Sequence, residues 1–175
     1  MCVNVSLVGF QSSGKSWIGA TLAQRLATPF YDLDTLVLER GNSLFGSAYG
    51  SVRELFISIG EKSFRNLERL VLSEHKFYGI LACGGGSPLD LLDSETIVVY
   101  LFRSFSTIWN DLEQKISDGA SPAWIDLSSP FASFQQIWEE RHPVFVERSR
   151  YTVLVKEMHR AVQDLHSIMV QAYGK

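Results

Sequence analysis

The sequence predicts an α/β fold of three layers, in which a central parallel sheet of about five strands is flanked by helices on both faces. Apolar, strand-like runs alternate along the chain with segments in which apolar residues recur at helical spacing. A glycine-rich turn separates the first strand from the first helix. Because right-handed crossovers join parallel strands, we expect the loops at their carboxyl ends to line one ligand crevice.

The predicted elements follow one another without a repeat or linker, so we expect a single domain over residues 1–175. Strands are predicted over residues 3–8, 30–34, 79–83, 96–102 and 151–155. Helices are predicted from Lys15 until Pro29, from about 36 to 41, over 52–56 and 61–74 with Gly60 between them, around 108–116, over 131–150 despite Pro143, and over 159–173. Residues 42–51 are predicted to form a loop, and residues 117–130 a longer loop that we interpret as a mobile lid.

The composition of the chain excludes several classes of protein. Its 46% hydrophobic and 20% charged residues are ordinary for a globular domain, which we expect to be a monomer. A net charge of −3 without a block of Lys or Arg predicts neither a nucleic acid nor a membrane partner. No signal peptide or membrane-spanning run is recognisable, so a cytoplasmic location is expected. Cys2 and Cys83 are too few for a disulfide framework, and Cys83 is predicted to be a buried hydrophobe.

The residues from Gly9 to Ser16 satisfy the pattern GxxxxGK[ST] between a strand and a helix, which predicts a phosphate-binding loop. Its glycines allow backbone N–H groups to turn towards an anion at the start of the helix. Lys15 adds a positive charge near the β- and γ-phosphates, and the Ser16 hydroxyl is placed to ligate Mg²⁺. A glycine-rich turn with an exposed lysine is the alternative, but the flanking elements favour nucleotide binding. The predicted ATP-binding residues are Gly9, Ser12, Ser13, Gly14, Lys15 and Ser16.

Two carboxylates, Asp32 and Asp34, end the second predicted strand at the same sheet edge as the phosphate loop. In an extended chain their side chains point the same way, so one can hold Mg²⁺ through its waters while the other engages an attacking hydroxyl. The alternative makes Asp32 a strand-end residue and Asp34 the N-cap of the next helix.

Two arginines and a triple glycine are further candidates. Arg65 suits bidentate binding of a small carboxylate, or else belongs to a surface ladder with Glu68 and Arg69. Residues 84–86 are all glycine, which permits close approach of a ligand or merely a tight turn before Pro88. Arg141, taken alone, reads as an exposed arginine.

Together these elements resemble the shikimate kinase family in order and approximate spacing. The resemblance rests on residues 9–16, 30–34 (FYDLD), 60–68 (GEKSFRNLE), 84–86 (GGG) and 141–145 (RHPVF), and extends over nearly the whole chain. It implies a P-loop kinase that transfers a phosphoryl group from ATP to the 3-hydroxyl of shikimate, in the chorismate route to aromatic amino acids.

The resemblance also implies a role for each matching residue. Lys15 is similar to the family's phosphate lysine, Ser16 and Asp32 to its Mg²⁺ side, and Asp34 to the residue that engages the substrate hydroxyl. Arg65 and Arg141 would clamp the substrate carboxylate, with Gly84, Gly85 and Gly86 packed against the ring and hydroxyls.

Two departures from the family pattern stand out. The family's lid carries an arginine immediately before a proline, whereas Ser121 precedes Pro122 here. Lys115 is the nearest basic residue before the lid, and its plainer interpretation is a solvated lysine at a helix end. Residues 41–51 also form a longer connection than the family's.

Two other functions stay open on the sequence alone. A small P-loop kinase acting on another polyol acid such as gluconate is one, although Arg65, Arg141 and the triple glycine argue against it. A nucleotide-binding module without catalysis is the other, supported by Ser121 and opposed by the retained candidate residues.

Overall fold

The computed structural model describes residues 3–174, so Cys2 lies outside the described residues. The strands are β1 (Asn4–Val8), β2 (Phe30–Asp32), β3 (Gly79–Ala82), β4 (Ile97–Phe102) and β5 (Tyr151–Leu154). The helices are α1 (Lys15–Arg25), α2 (Leu33–Phe45), α3 (Val52–Glu74), α4 (Phe105–Ser117), α5 (Pro130–Arg148) and α6 (Met158–Tyr173), with a short 3-10 helix at Leu89–Leu91.

The five strands form one parallel sheet in the order β2-β3-β1-β4-β5. The central strand β1 pairs with β3 and β4, so Val5 lies opposite both Ile80 and Ile97. The sheet order reverses direction next to β1, where doubly wound folds bind their ligands. The predicted fold class is confirmed.

Helices cover the two faces of the sheet with two separate hydrophobic cores. Leu7 of β1 packs into the core that includes the buried residues of α1 and α6, whereas Val8 packs into the core formed with α2, α3, α4 and α5. Alternate residues of a strand point to opposite faces, so a strand buried on both faces is apolar throughout. Cys83 is 2% exposed, as predicted.

The prediction that a helix ends near Gly41 is wrong, because α2 continues to Phe45. A Cβ at Gly41 would lie 2.8 Å from Leu55 Cδ2, so this glycine allows α2 and α3 to pack closely. Gly46, with φ 61°, is the residue that ends the helix. The predicted loop 42–51 therefore shortens to residues 46–51, where the Asn42 side chain bonds both the backbone N–H and C=O of Tyr49.

The predicted interruption at Gly60 is confirmed. Gly60 has φ 77° and ψ 161° within α3, so the segments on its two sides are separate helical pieces. Ser51 caps the first piece, because its Oγ accepts from Glu54 N, and the Glu54 carboxylate accepts from the N–H of Gly50, one residue before the cap. No helix within residues 3–174 is long and apolar enough to span a membrane.

Candidate active site

A cavity of about 490 Å³ opens at the carboxyl ends of the strands. Most of the predicted site residues line it, namely Ser12, Gly14, Lys15, Ser16, Asp32, Asp34, Arg65, Gly84, Gly85, Gly86 and Arg141. The predicted phosphate contacts Gly9 and Ser13 do not; Ser13 is buried, and its N–H donates to Phe10 O at 3.2 Å. No residue of 41–51 lines the cavity, so the longer connection lies away from it.

The phosphate loop begins at Gly9, where φ is 149° and an added Cβ would lie 2.7 Å from the carbonyl oxygen of Leu101. Gly14, the N-cap of α1, makes no side-chain cap, so the first N–H groups of the helix remain available to an anion. Lys15 Nζ donates to the carbonyls of Gly9 and Phe10 at 2.9 and 2.8 Å. Burial lowers the pKa of Lys15 to about 8, and the charge of Asp34 opposes this shift.

Ser16 and Asp32 bring two oxygen atoms together beside the loop. Ser16 Oγ donates to Asp32 Oδ2 at 2.5 Å, while Asp32 Oδ1 accepts from Asp34 N at 3.1 Å. Asp32 is therefore the N-cap of α2, and the alternative that gave this role to Asp34 is wrong. The strand predicted over residues 30–34 ends at Asp32 in the structure. Asp34 therefore reaches the cavity from the first turn of α2.

Asp34 lies where the phosphate end and the arginine end of the cavity meet. Burial and then the charge of Asp32 raise the pKa of Asp34 to about 6, against the opposing charges of Lys15 and Arg65. A Cβ at Gly84 would lie 3.2 Å from Asp34 Oδ1, so the bare backbone allows this close approach. A carboxylate whose pKa lies near neutrality suits proton transfer.

Arg65 makes ion pairs along α3 with the exposed Glu61 (i,i+4) and with Glu68 (i,i+3), and the pair with Glu68 belongs to a buried network. Arg65 Nη1 donates to Glu68 Oε2 at 2.6 Å, and Ser87 Oγ donates to Glu68 Oε1 at 3.1 Å. Glu68 is 1% exposed, so it holds the Arg65 guanidinium in a fixed orientation. Arg69 instead forms an exposed pair with Asp90.

Arg141 of α5 brings a second guanidinium to the same wall of the cavity. Burial and then the charge of Arg65 lower the pKa of Arg141, as expected for two nearby cations with little water between them. A Cβ at Gly86 would lie 2.7 Å from Arg65 Nη2, and one at Gly85 would lie 3.6 Å from Arg141 Nη1. The triple glycine thus packs against an electropositive pocket that suits a small anion.

Part of the segment predicted to form a lid lines this cavity. Residues 120–124 line it, and Arg53 Nε donates to Ser121 O at 3.0 Å. Lys115 is partly buried and donates from Nζ to Ser12 Oγ at 2.8 Å, so its interpretation as a solvated helix-end lysine is wrong. Arg53 was not among the predicted site residues. Its contact with Ser121 joins residues 68 positions apart, which no local sequence pattern indicates.

Residues 11–170 match the family model described as "Shikimate kinase". The chain belongs to the shikimate kinase family. The family prediction made from the motifs is confirmed.

Relatives in sequence support the same assignment. A shikimate kinase from Vibrio parahaemolyticus is 35% identical over 157 residues, covering 86% of this chain and 85% of the relative. One from Synechococcus sp. is 31% identical over 151 residues, covering 83% and 75% of the two chains.

Solved structures show the same fold. Shikimate kinase from Aquifex aeolicus has a TM-score of 0.72 at 28% identity, covering 98% of this chain and 99% of that one. Shikimate kinase from Acinetobacter baumannii, solved in complex with shikimate, has a TM-score of 0.80 at 24% identity, covering 100% and 97%.

Proposed function

We propose that this protein is an active shikimate kinase, which transfers the γ-phosphoryl group of ATP to the 3-hydroxyl of shikimate. The observation that carries the proposal is one cavity containing a phosphate-binding loop, a pair of arginines and Asp34, whose pKa responds to the charges of both Lys15 and Arg65. A nucleotide and a small acid therefore have binding sites on either side of a candidate base. The proposal includes a monomer in the cytoplasm.

The nucleotide phosphates are held at the start of α1. The free N–H groups after Gly14 and the ammonium of Lys15 face the β- and γ-phosphates, where they balance charge that grows on the leaving oxygen. Phosphoryl transfer requires little covalent chemistry from the protein, so correct positioning and charge stabilisation account for most of the acceleration.

Mg²⁺ fits beside this loop. Ser16 and Asp32 present a hydroxyl and a carboxylate oxygen at one point, and both are hard oxygen ligands of the kind that Mg²⁺ prefers. Within residues 3–174, no three His, Cys, Asp or Glu residues are grouped to hold a metal alone, which suits an ion that takes its other ligands from phosphate and water. When bound, the ion neutralises charge on the phosphates.

Shikimate lies on the arginine side. Its carboxylate pairs with Arg65 and Arg141, and its ring and hydroxyls rest on Gly84, Gly85 and Gly86, of which Gly84 and Gly86 are too closely surrounded to carry a side chain without displacing a neighbour. Asp34 accepts the 3-hydroxyl proton while that oxygen forms a bond to the γ-phosphorus. The bond to the β–γ bridging oxygen breaks in the same step, giving ADP and shikimate 3-phosphate.

Ser121 favours one competing function, a nucleotide-binding homologue without turnover. The first test is therefore ADP formation from Mg-ATP with and without shikimate, with detection of the phosphorylated product. We expect ADP release that depends on shikimate, and much less with gluconate. ATP binding without any phosphorylated acid would support the non-catalytic alternative.

The variant Asp34→Asn tests the proposed base. We expect it to lose phosphorylation by at least about 10²-fold and to keep its ATP affinity, because the amide cannot accept the hydroxyl proton. Asp90→Asn is the matched control, since Asp90 is exposed, pairs with Arg69 and lies outside the cavity. Full turnover by Asp34→Asn would refute the role given to Asp34.

A further inference from the structure

The lid presents an uncharged residue to a cavity in which negative charge must be stabilised. Ser121 is 7% exposed and lines the cavity, next to Pro122. A phosphoryl group in transfer spreads negative charge over its equatorial oxygens, so a cation facing the phosphate loop lowers the barrier. The guanidinium that the family pattern places at this position is absent from the sequence.

Arg53 brings a guanidinium to the same place from another element. It lies in the first turn of α3, fixed by the Ser51 cap, and its Nε donates to Ser121 O at 3.0 Å. Arg53 also lines the cavity. The Arg53 guanidinium is thus bonded to the backbone of residue 121, the position at which the family pattern has an arginine side chain.

The charge of Arg53 is available to a ligand. Among the described residues, Arg53 forms no ion pair, whereas Asp or Glu side chains pair with Arg40, Arg65, Arg69, Arg103 and Arg160. Its only hydrogen bond in that part of the chain uses Nε, so both terminal amines remain free for an anion.

The lid residues next to Ser121 lie beside the phosphate loop. Trp124 shares a small cleft with Gln11, Ser12 and Lys115, so the lid lies against the phosphate loop three residues beyond Ser121. The substrate carboxylate already has Arg65 and Arg141, and Lys115 is bonded to the Ser12 side chain. Arg53 is the remaining cation of the cavity without an assigned ligand.

We propose that Arg53 is a catalytic residue that contacts the transferred γ-phosphoryl group and replaces the guanidinium missing from the lid. This inference rests on the proposed kinase function. Arg53 and Arg65 lie on the two pieces of α3, on either side of the break at Gly60.

The test compares Arg53→Ala with the wild-type protein in steady-state kinetics. We expect kcat to fall by about 10²- to 10³-fold with little change in KM for shikimate, because the contact forms only as charge develops. Arg69→Ala is the matched control, since it removes an arginine from the exposed side of the same helix. A thermal melt of each variant confirms folding, which we expect to be unaffected because Arg53 is exposed and makes one hydrogen bond.

A second variant tests whether the Arg53 guanidinium replaces an arginine at residue 121. In Arg53→Ala combined with Ser121→Arg, the guanidinium returns to the lid, and we expect at least about tenfold recovery of kcat over Arg53→Ala alone. Unchanged kcat in Arg53→Ala overturns the proposal. A rise in KM for shikimate at constant kcat also overturns it, because that result assigns Arg53 to substrate binding.

A measurement without turnover separates this proposal from the kinase function. Aluminium fluoride with MgADP mimics the phosphoryl group in transfer, and we expect it to tighten ADP binding to the wild type and to Arg69→Ala but not to Arg53→Ala. If wild type forms no shikimate 3-phosphate yet shows this difference, the kinase function fails while the contact of Arg53 stands. Equal tightening in all three proteins overturns the contact.

Discussion

At the scale of single residues, the site combines an acid and a base whose pKa values move towards each other. Burial and Asp32 raise the pKa of Asp34 to about 6, while burial lowers the pKa of Lys15 to about 8. Each residue lies near the other, so each ion partly offsets the cost of desolvating its neighbour. A carboxylate base and an ammonium ion therefore coexist only in a narrow range of pH.

We predict a bell-shaped dependence of kcat/KM on pH for the free enzyme. Asp34 must be ionised to accept a proton, so activity is lost as pH falls through about 6. Lys15 must be protonated to face the phosphates, so activity is also lost as pH rises through about 8. Initial rates at low shikimate concentration, measured across this range at constant ionic strength, check the prediction. If the activity were lost on the acid side only near the ordinary pKa of an aspartate, the raised pKa of Asp34 would be contradicted.

The sequence alone predicted the residues of this site that belong to local motifs. The spacing of Lys15 and Ser16, and the position of Asp32 at the end of a strand, follow from chain geometry, whereas Asp34 was predicted in that strand and lies in the first turn of α2. The contact of Arg53 with Ser121 and that of Lys115 with Ser12 depend on how distant helices pack, which no local pattern encodes. The contacts between the lid segment and distant helices were therefore the least predictable part of the cavity.

At the scale of elements, α3 connects the two ends of the site. Arg53 lies before the break at Gly60, whereas Arg65 and Glu68 lie after it. An added Cβ at Gly60 would meet no atom within 4 Å, so the positive φ and not lack of space requires glycine there. The break sets the direction of the second piece of α3, and through Glu68 the orientation of the Arg65 guanidinium.

The misplaced end of α2 shows why a glycine alone is an ambiguous signal. Gly41 is buried against Leu55 inside a helix, whereas Gly46, five residues later, has the left-handed conformation that ends it. Both glycines belong to the same short stretch of sequence, GNSLFG. Only the packing of α2 on α3 distinguishes a glycine needed for close contact from one needed for its conformation.

We predict that residues 118–129 act as a lid that closes over bound ligands. The segment lies between α4 and α5 without regular structure, and part of it already lines the cavity. Hydrogen–deuterium exchange with and without MgADP plus shikimate checks this prediction, because closure protects exposed amides. We expect slower exchange in this segment and no change in α6, which contributes no residue to the cavity. Unchanged exchange in residues 118–129 would refute closure.

At the scale of the whole molecule, two separate cores hold the sheet from its two faces while the site lies at the sheet edge. The central strand contributes to both cores, through Leu7 and Val8, and continues directly into the phosphate loop. The sheet thus positions the phosphate-loop side of the cavity. The arginine side is held by helices, through Arg65 on α3 and Arg141 on α5.

Because the phosphate-loop side and the arginine side of the cavity are held by different elements, we predict that the nucleotide and the substrate stabilise the fold independently. A ligand at about 100 times its Kd adds about 2.7 kcal/mol to the free energy of unfolding. For a chain of this size that is a rise in Tm of roughly 5–11 °C.

We expect MgADP and shikimate each to raise Tm of the wild type. In Arg141→Ala the shift due to shikimate is smaller and that due to MgADP is kept, because the substrate carboxylate loses one of its two arginines while the phosphate loop is unchanged. Arg150→Ala serves as the control, since Arg150 lies outside the cavity beside Tyr151. Loss of both shifts in a folded Arg141→Ala variant would mean that Arg141 serves the nucleotide as well, and an undiminished shift with shikimate would remove it from the carboxylate site.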